Sequence, residues 1–303
     1  MKTSYSPYSI VKALDACKEI MGKYNLVTSG YQHSRFNCWY NEILKEMNTH
    51  VYPDTIDIDA IASYDYKVIN QWLKDKEFNL QVPEFPHNNV FFGTAATLKV
   101  LLEWTKRCVE RRIETEDKKE YPGFTLENVS KYILGGKSIY YFTDKNFYSV
   151  YIAEADKDEM SRVFHPSSSA EIDELDLFDS ALNIAGTGGY HKIELVVPMI
   201  DYQETSRLDW LEGMHVMGDR VDMPSAKIEI AMQQNIFKMD EIGAEIKSAS
   251  YIGYSGCSGW SDSGTEYIRK PFLLWVYAPG CNYPLFVGYF DERYWKRPVR
   301  EIK

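Results

Sequence analysis

Between Met239 and Phe272 the sequence changes character several times, and no single helix or strand can hold all of it. Met239-Asp240-Glu241-Ile242 places an acidic pair at the end of an alternating run. Gly243-Ala244 comes next, then Glu245-Ile246-Lys247-Ser248-Ala249-Ser250. Ser255-Gly256-Cys257-Ser258-Gly259-Trp260-Ser261-Asp262-Ser263-Gly264 is rich in the residues that make turns. At Phe272 an apolar run begins. A loop of this length inside a folded chain needs a rigid frame at each end. The first part of it also fits a strand, in which alternate side chains face one way. With Ala244 inward, Ile246, Ser248, Ser250, Ile252 and Tyr254 share its side. Glu245, Lys247, Ala249, Tyr251 and Gly253 take the other, so both charges fall on one face.

The rest of the chain must supply that frame. Its 303 residues suffice for a large core, and 45% hydrophobic content is ordinary for a globular protein. A net charge of -10 argues against nucleic acid, whose phosphates need a basic patch. No apolar run is long enough to span a membrane, and Met1 to Pro7 carries no apolar signal core. Cysteines 17, 38, 108, 257 and 281 are odd in number and include no CxxC pair, which favours a reducing compartment over a disulfide framework. The expectation is a cytoplasmic monomer without membrane or nucleic-acid partners.

Helical periodicity dominates the N-terminal quarter. Ile10, Ala13, Leu14, Cys17, Ile20 and Met21 share a face, with Ser9 as the N-cap. Phe36, Trp39, Tyr40, Ile43, Leu44 and Met47 mark a second helix, and Val68, Ile69, Trp72 and Leu73 a third. Val90 to Val109 reads as a strand followed by a helix from Leu98. Glu114 to Glu120 is a solvated charge run. Ser138 to Phe142 and Phe147 to Ile152 read as a hairpin around Thr143-Asp144-Lys145-Asn146. Lys192 to Val197 is a strand stopped by Pro198. Leu208, Leu211 and Met214 mark a short helix, and Lys227 to Met239 one long strand. Leu273 to Tyr277 and Leu285 to Tyr289 form a last hairpin around Pro279-Gly280. Helices first and strands afterwards favour α+β in a single domain over residues 1–303.

Catalytic and metal patterns fail at the level of chain order. Gly253-Tyr254-Ser255-Gly256-Cys257 lacks the final glycine of GxSxG. A nucleophile at Ser255 or Cys257 would also need a later histidine, and the last is His215. His33, His50, His87, His165, His191 and His215 show neither HxxxH nor HExxH spacing. Gly186-Thr187-Gly188-Gly189 has neither GxGxxG spacing nor a Walker lysine, and reads as a turn. No catalytic residue, metal site or cofactor is expected.

Several stretches, taken in order, resemble the serpin family. Ser6-Pro7-Tyr8-Ser9-Ile10 with Ala13-Leu14 is similar to its N-terminal SPxSI…AL motif. Ile69-Asn70-Gln71-Trp72-Leu73 resembles its INxWV helix, and Trp104 matches the tryptophan after the next strand. His191 to Pro198 resembles the vxlxlP strand, and Leu208 to Gly213 with Met217-Gly218 resembles the family's helix after that strand. Met239 to Ser250 resembles the hinge, and Lys270-Pro271-Phe272-Leu273-Leu274 with Leu285-Phe286-Val287-Gly288 the closing strands. Apart from Trp104, the stretch from about 98 to 185 offers little that matches, and the chain is shorter than a typical member, with early helices trimmed.

The resemblance implies a large, mostly antiparallel central sheet with flanking helices, smaller sheets and an exposed reactive loop. It implies a metastable protease inhibitor and not an enzyme. A serine or cysteine protease would cut the loop, which would then insert into the sheet as an extra strand. The hinge would comprise Glu241, Gly243, Ala244, Ile246, Ser248 and Ser250. Counting from Glu241 puts the scissile bond after Cys257, before Ser258. Trp260 would suit a chymotrypsin-like target and Asp262 a caspase-like one, and Tyr254 is a further candidate. Ser6 and Ser9 would lie beneath the parting strands with Gln233, which replaces the family's histidine, while Ala96 replaces its asparagine partner. Loss of that pair, and the bulk of Ile246 and Lys247 in the hinge, point to an alternative: a serpin-fold binding protein that no longer inhibits.

Overall fold

The computed structural model describes residues 4–27, 31–50, 52, 54–86, 90–104, 106–134, 137–154, 177–179, 181–182, 191–247 and 264–299. The chain begins with a two-residue strand β1 (Ser4–Tyr5), helices α1 (Pro7–Asp15) and α2 (Lys18–Met21), and β2 (Tyr24–Val27). Helix α3 (Tyr31–Thr49), strand β3 (Ile56–Ser63) and helix α4 (Tyr66–Asp75) come next. Then come β4 (Gly93–Glu103), β5 (Val109–Glu114), β6 (Glu120–Leu134), β7 (Lys137–Thr143) and β8 (Ser149–Glu154). The second half holds β9 (His191–Pro198), β10 (Ile200–Arg207), β11 (His215–Gly218), β12 (Ser225–Lys227), β13 (Met232–Met239) and β14 (Gly243–Lys247). It closes with β15 (Thr265–Tyr267), β16 (Phe272–Tyr277) and β17 (Phe286–Phe290).

The strands form three sheets. The nine-stranded one runs β1-β17-β16-β8-β7-β6-β9-β15, with β5 added on β6. A five-stranded sheet runs β10-β13-β14-β4-β3, and a three-stranded one β12-β11-β2. Within the nine-stranded sheet the pairings are antiparallel except that of β15 with β9. The α+β expectation of a broad, mostly antiparallel sheet with smaller sheets and helices holds.

By contacts the chain divides into two compact units. One comprises Met1–Ser6, Val100–Gln203 and Ile236–Lys303, the other Pro7–Lys99 and Glu204–Asn235. The first is organised by β16, whose six residues are all buried, as a continuous apolar strand in mid-sheet must be. Phe237 stacks on Phe286 and Phe290 at 5.4 and 5.0 Å, which ties β13 to β17. The second unit is built on its helices. Phe36, Tyr40 and Ile43 of α3 are buried on one face. The Asp65 side chain caps α4 by accepting the Lys67 N–H at 2.9 Å, and Ile69 and Leu73, one turn apart, pack with Phe78 and Ala95.

Three local expectations fail. Ser9 lies inside α1, which starts at Pro7, a residue suited to the first helical position because its missing N–H is not needed there. Leu98 to Glu103 is strand rather than helix: it continues β4, with Val100 and Leu102 buried and Leu101 exposed between them. Lys227 to Met239 is two strands, because Ile228 and Ala231 are drawn into bonds with Met214 and Leu208 instead of a ladder.

Candidate functional site

The predicted hinge is a tight turn leading into a strand. The Asp240 Oδ1 accepts the N–H of Ile242 at 2.9 Å and of Gly243 at 3.3 Å, and the Asp240 N–H donates to the Gly243 carbonyl at 3.0 Å. The chain therefore reverses between β13 and β14. Strand β14 pairs antiparallel on both sides, Ala244 standing opposite Met239 of β13 and Leu102 of β4. Gly243 is required at its position, since a Cβ would overlap the Leu102 carbonyl oxygen. Ala244 is fully buried and Glu245 half-buried, as the alternation requires.

A polar cluster holds the turn. The Trp104 Nε1–H donates to the Asp240 carbonyl at 2.8 Å, while its ring lies against Phe124 and Phe142. The Cys108 N–H donates to the Glu241 carbonyl at 2.8 Å, and burial pushes the Cys108 thiol up to about 11. Glu241 is 2% exposed, and Arg107 Nη2 donates to its Oε1 at 2.8 Å. Arg297 Nη1 sits 3.5 Å from Oε2 and also pairs with Glu110. On the other flank, Asp144 Oδ2 accepts the Glu103 N–H at 3.0 Å and the Glu103 carbonyl accepts the Lys145 N–H at 2.8 Å. Glu103 is the register partner of Gly243.

The far end of the stretch is anchored differently. Strand β15 runs beside β9, and the Thr265 hydroxyl donates to Glu194 at 3.0 Å. Lys131 Nζ donates to both oxygens of Glu266 at 2.7 and 2.8 Å, and the Tyr140 hydroxyl donates to one of them at 2.9 Å. Burial, with Glu266 beside it, raises the Tyr140 hydroxyl. The Glu154 carboxylate accepts the N–H groups of Arg269 and Lys270 just beyond, and burial raises its pKa.

The residues expected beneath the parting strands do not all meet. Gln233 is buried, and its Nε2 donates to Ser9 Oγ at 3.0 Å. Its Oε1 accepts from Asn235 Nδ2 at 3.1 Å. Gln233 thus has hydrogen-bond partners of its own, Ser9 and Asn235, in place of the family's histidine–asparagine pair. The longer amide reaches Ser9, and its second partner, Asn235, lies two residues along the same strand. Ser6 Oγ donates instead to the Leu285 carbonyl at 2.9 Å.

No family model matches the sequence, and no curated protein matches it. Solved structures do. Serpin48, described as a highly specific serpin of the insect Tenebrio molitor, aligns with a TM-score of 0.54 over 95% of this chain and 92% of its own, at 11% identity. A loop-inserted, cleaved ovalbumin mutant aligns at 0.58 over 95% and 92%, also at 11% identity. Tengpin, a thermophilic serpin in its native state, aligns at 0.57 over 96% and 88%, again at 11% identity. The chain has the serpin fold.

In that serpin fold the resemblance implied a hinge that joins the sheet only after cleavage. Gly243–Lys247 does not behave so: it is already a strand, with Ala244, Glu245 and Ile246 paired to both β13 and β4, Gly243 to β4 and Lys247 to β13. Ile246 lies within that strand, and the pairing carries through it to Lys247. Ser248, Ser250, Cys257, Ser258, Trp260 and Asp262 lie outside the described residues, as do Tyr254 and the turn at Gly186. Among the described residues Cys17, Cys38 and Cys108 are in no disulfide, no acid, His and Cys cluster could hold a metal, and no helix is long and apolar enough to cross a membrane. Sequence reasoning missed Arg107, Arg297 and Asp144, whose partners are far away in the chain. It also missed Asn235, which its i, i+2 spacing from Gln233 could have revealed.

Proposed function

We propose that this protein is a protease inhibitor of serpin type, acting as a monomer and a single domain. A serine or cysteine protease cuts the segment between Lys247 and Thr265, and the part before the cut enters the five-stranded sheet. Cys257-Ser258 is the proposed scissile bond, with Trp260 and Asp262 as the alternatives. The protein performs no catalysis itself and needs no cofactor. The target's own nucleophile attacks the loop carbonyl, and strand addition deforms the acyl-linked target before water completes hydrolysis.

One observation carries this reading: β14 lies between β13 and β4 with Ala244 buried and Glu245 on the other face. The slot that insertion requires accepts this sequence, in the register that turns Ala244 inward and Glu245 to the other face. The ovalbumin mutant is cleaved and loop-inserted, which supports the same course for a protein of this fold.

The test is thermal. After nicking with a nonspecific protease, insertion raises the melting temperature by tens of degrees, and an unchanged value overturns the mechanism. A gel-stable complex with a serine or a cysteine protease then assigns the target class. The pre-paired hinge, with bulky Ile246 and Lys247 in it, favours a second reading, a non-inhibitory binding protein. That reading gives no thermal gain and no covalent complex.

A further inference from the structure

The turn between β7 and β8 buries a carboxylate that the inhibitory mechanism does not use. Asp144 is 4% exposed and accepts three backbone N–H groups. Oδ1 takes those of Asn146 and Tyr148, at 2.9 and 2.8 Å, both within its own turn. Oδ2 takes that of Glu103. Glu103 N–H and C=O point to the same side of β4, as they do for any strand residue. Both are occupied by this turn, so the last residue of β4 is held from one side by Asp144-Lys145 while Gly243 is registered on the other.

We propose that Asp144 is a proton-operated clamp on the hinge: as a carboxylate it fixes the end of β4, and on taking a proton it releases that end and loosens β14 beside it. The asymmetry of its bonds sets which one breaks. Three donors aimed at two oxygens suit an anion, and a proton turns these charge-assisted bonds into weaker neutral ones. Oδ2 carries a single donor and Oδ1 two, so the proton takes the open lone pair of Oδ2 and the Glu103 bond is the one weakened.

The surroundings place this event near neutrality. Burial is the largest influence and pushes the Asp144 carboxyl up to about 6, the three N–H groups pull it down, and Glu103 on β4 raises it again. Glu103 is itself bridged to Lys145 at 2.8 Å. Beyond β4, Asp240 is held by backbone N–H groups and Glu241 by Arg107 and Arg297. His50, His191 and His215 belong to other elements. The sign is specific. A carboxyl raised by folding contributes stability that is full below its unfolded pKa and lost as pH rises through about 6. Protonation of Asp144, taken by itself, therefore adds to stability while it opens the clamp.

This inference names the regulation of the hinge on which the inhibitory reading rests, but its test uses no protease, so each can fail alone. Amide exchange of the full chain, corrected for intrinsic rates, is followed from pH 5 to 7.5. Protection at Val100–Glu103 and Gly243–Lys247 is expected to fall about tenfold on acidification, the loss of roughly one charge-assisted hydrogen bond. The midpoint is expected near 6. In Asp144→Asn, where an amide N–H2 replaces one oxygen, the transition is expected to vanish and protection to stay at the acid level. Should that variant not fold, Glu103→Gln removes the neighbouring charge and is expected to move the midpoint to lower pH. A wild-type profile flat across this range, a transition that persists in Asp144→Asn, or a midpoint unmoved in Glu103→Gln overturns the proposal.

Discussion

The two ends of the 248–264 segment are secured by opposite means. At Gly243–Lys247 the chain is a middle strand, with backbone partners on both sides and a close approach that only glycine permits. At Thr265–Tyr267 it is paired with β9 on one side and secured by side-chain charges. The carboxylates show the contrast: Glu241 is 2% exposed and Glu266 34%. A half-exposed ion pair is screened by water and salt, and holds weakly. A strand set between two others can leave only by breaking two ladders. The difference teaches that the proximal end is held by backbone ladders on both sides, while the distal end, up to the buried Ile268, depends on one ladder and on screened charges.

The sharpest way to break this comparison is at Gly243. Gly243→Ala is expected to destabilise by about 2–3 kcal/mol, since the Leu102 carbonyl is backbone and cannot turn aside. Urea unfolding measures it, and an unchanged midpoint would show that β14 is not seated as described. Glu241→Gln comes next, at about 1–2 kcal/mol. The buried carboxylate loses its charge, but Arg107 is 68% exposed and rehydrates, so the full penalty of a buried pair does not apply. Trp104→Phe keeps the ring and deletes the bond to the Asp240 carbonyl, for about 1 kcal/mol in the same assay. Glu266→Gln is expected to be smallest, about 0.5 kcal/mol. Its signature is local: faster amide exchange at Thr265–Tyr267 with none at Gly243–Lys247. Equal acceleration at both would mean that the two anchors open together.

Much of this was legible in the residues. The apolar spacing of Phe36, Tyr40 and Ile43 is that of α3, and the asymmetry of Glu245 and Ala244 is that of a strand with one wet face. The charge-rich run at Glu114 to Glu120 is indeed where β5 turns into β6. Leu98 to Leu102 was not legible, because a run of nearly continuous apolar residues has no period to distinguish helix from strand. The partners of Glu241 were not legible either. Arg107 and Arg297 are two among 34 basic residues, and nothing in their local sequence shows that the fold brings them to one carboxylate. Asp144 sits in a recognisable hairpin turn, where the sequence shows a turn-former but not that it reaches back to Glu103.

The early seating of β14 bears on speed as well as on shape. Ordered ladders, like helices, are slow to nucleate and quick to propagate, because the first pairs fix many torsions for little return. With Gly243–Lys247 in place, a strand severed as proposed would have no search to perform. Each residue after Lys247 would lengthen an existing ladder, and the race against the protease would be decided by how smoothly the next side chains slide past the seam.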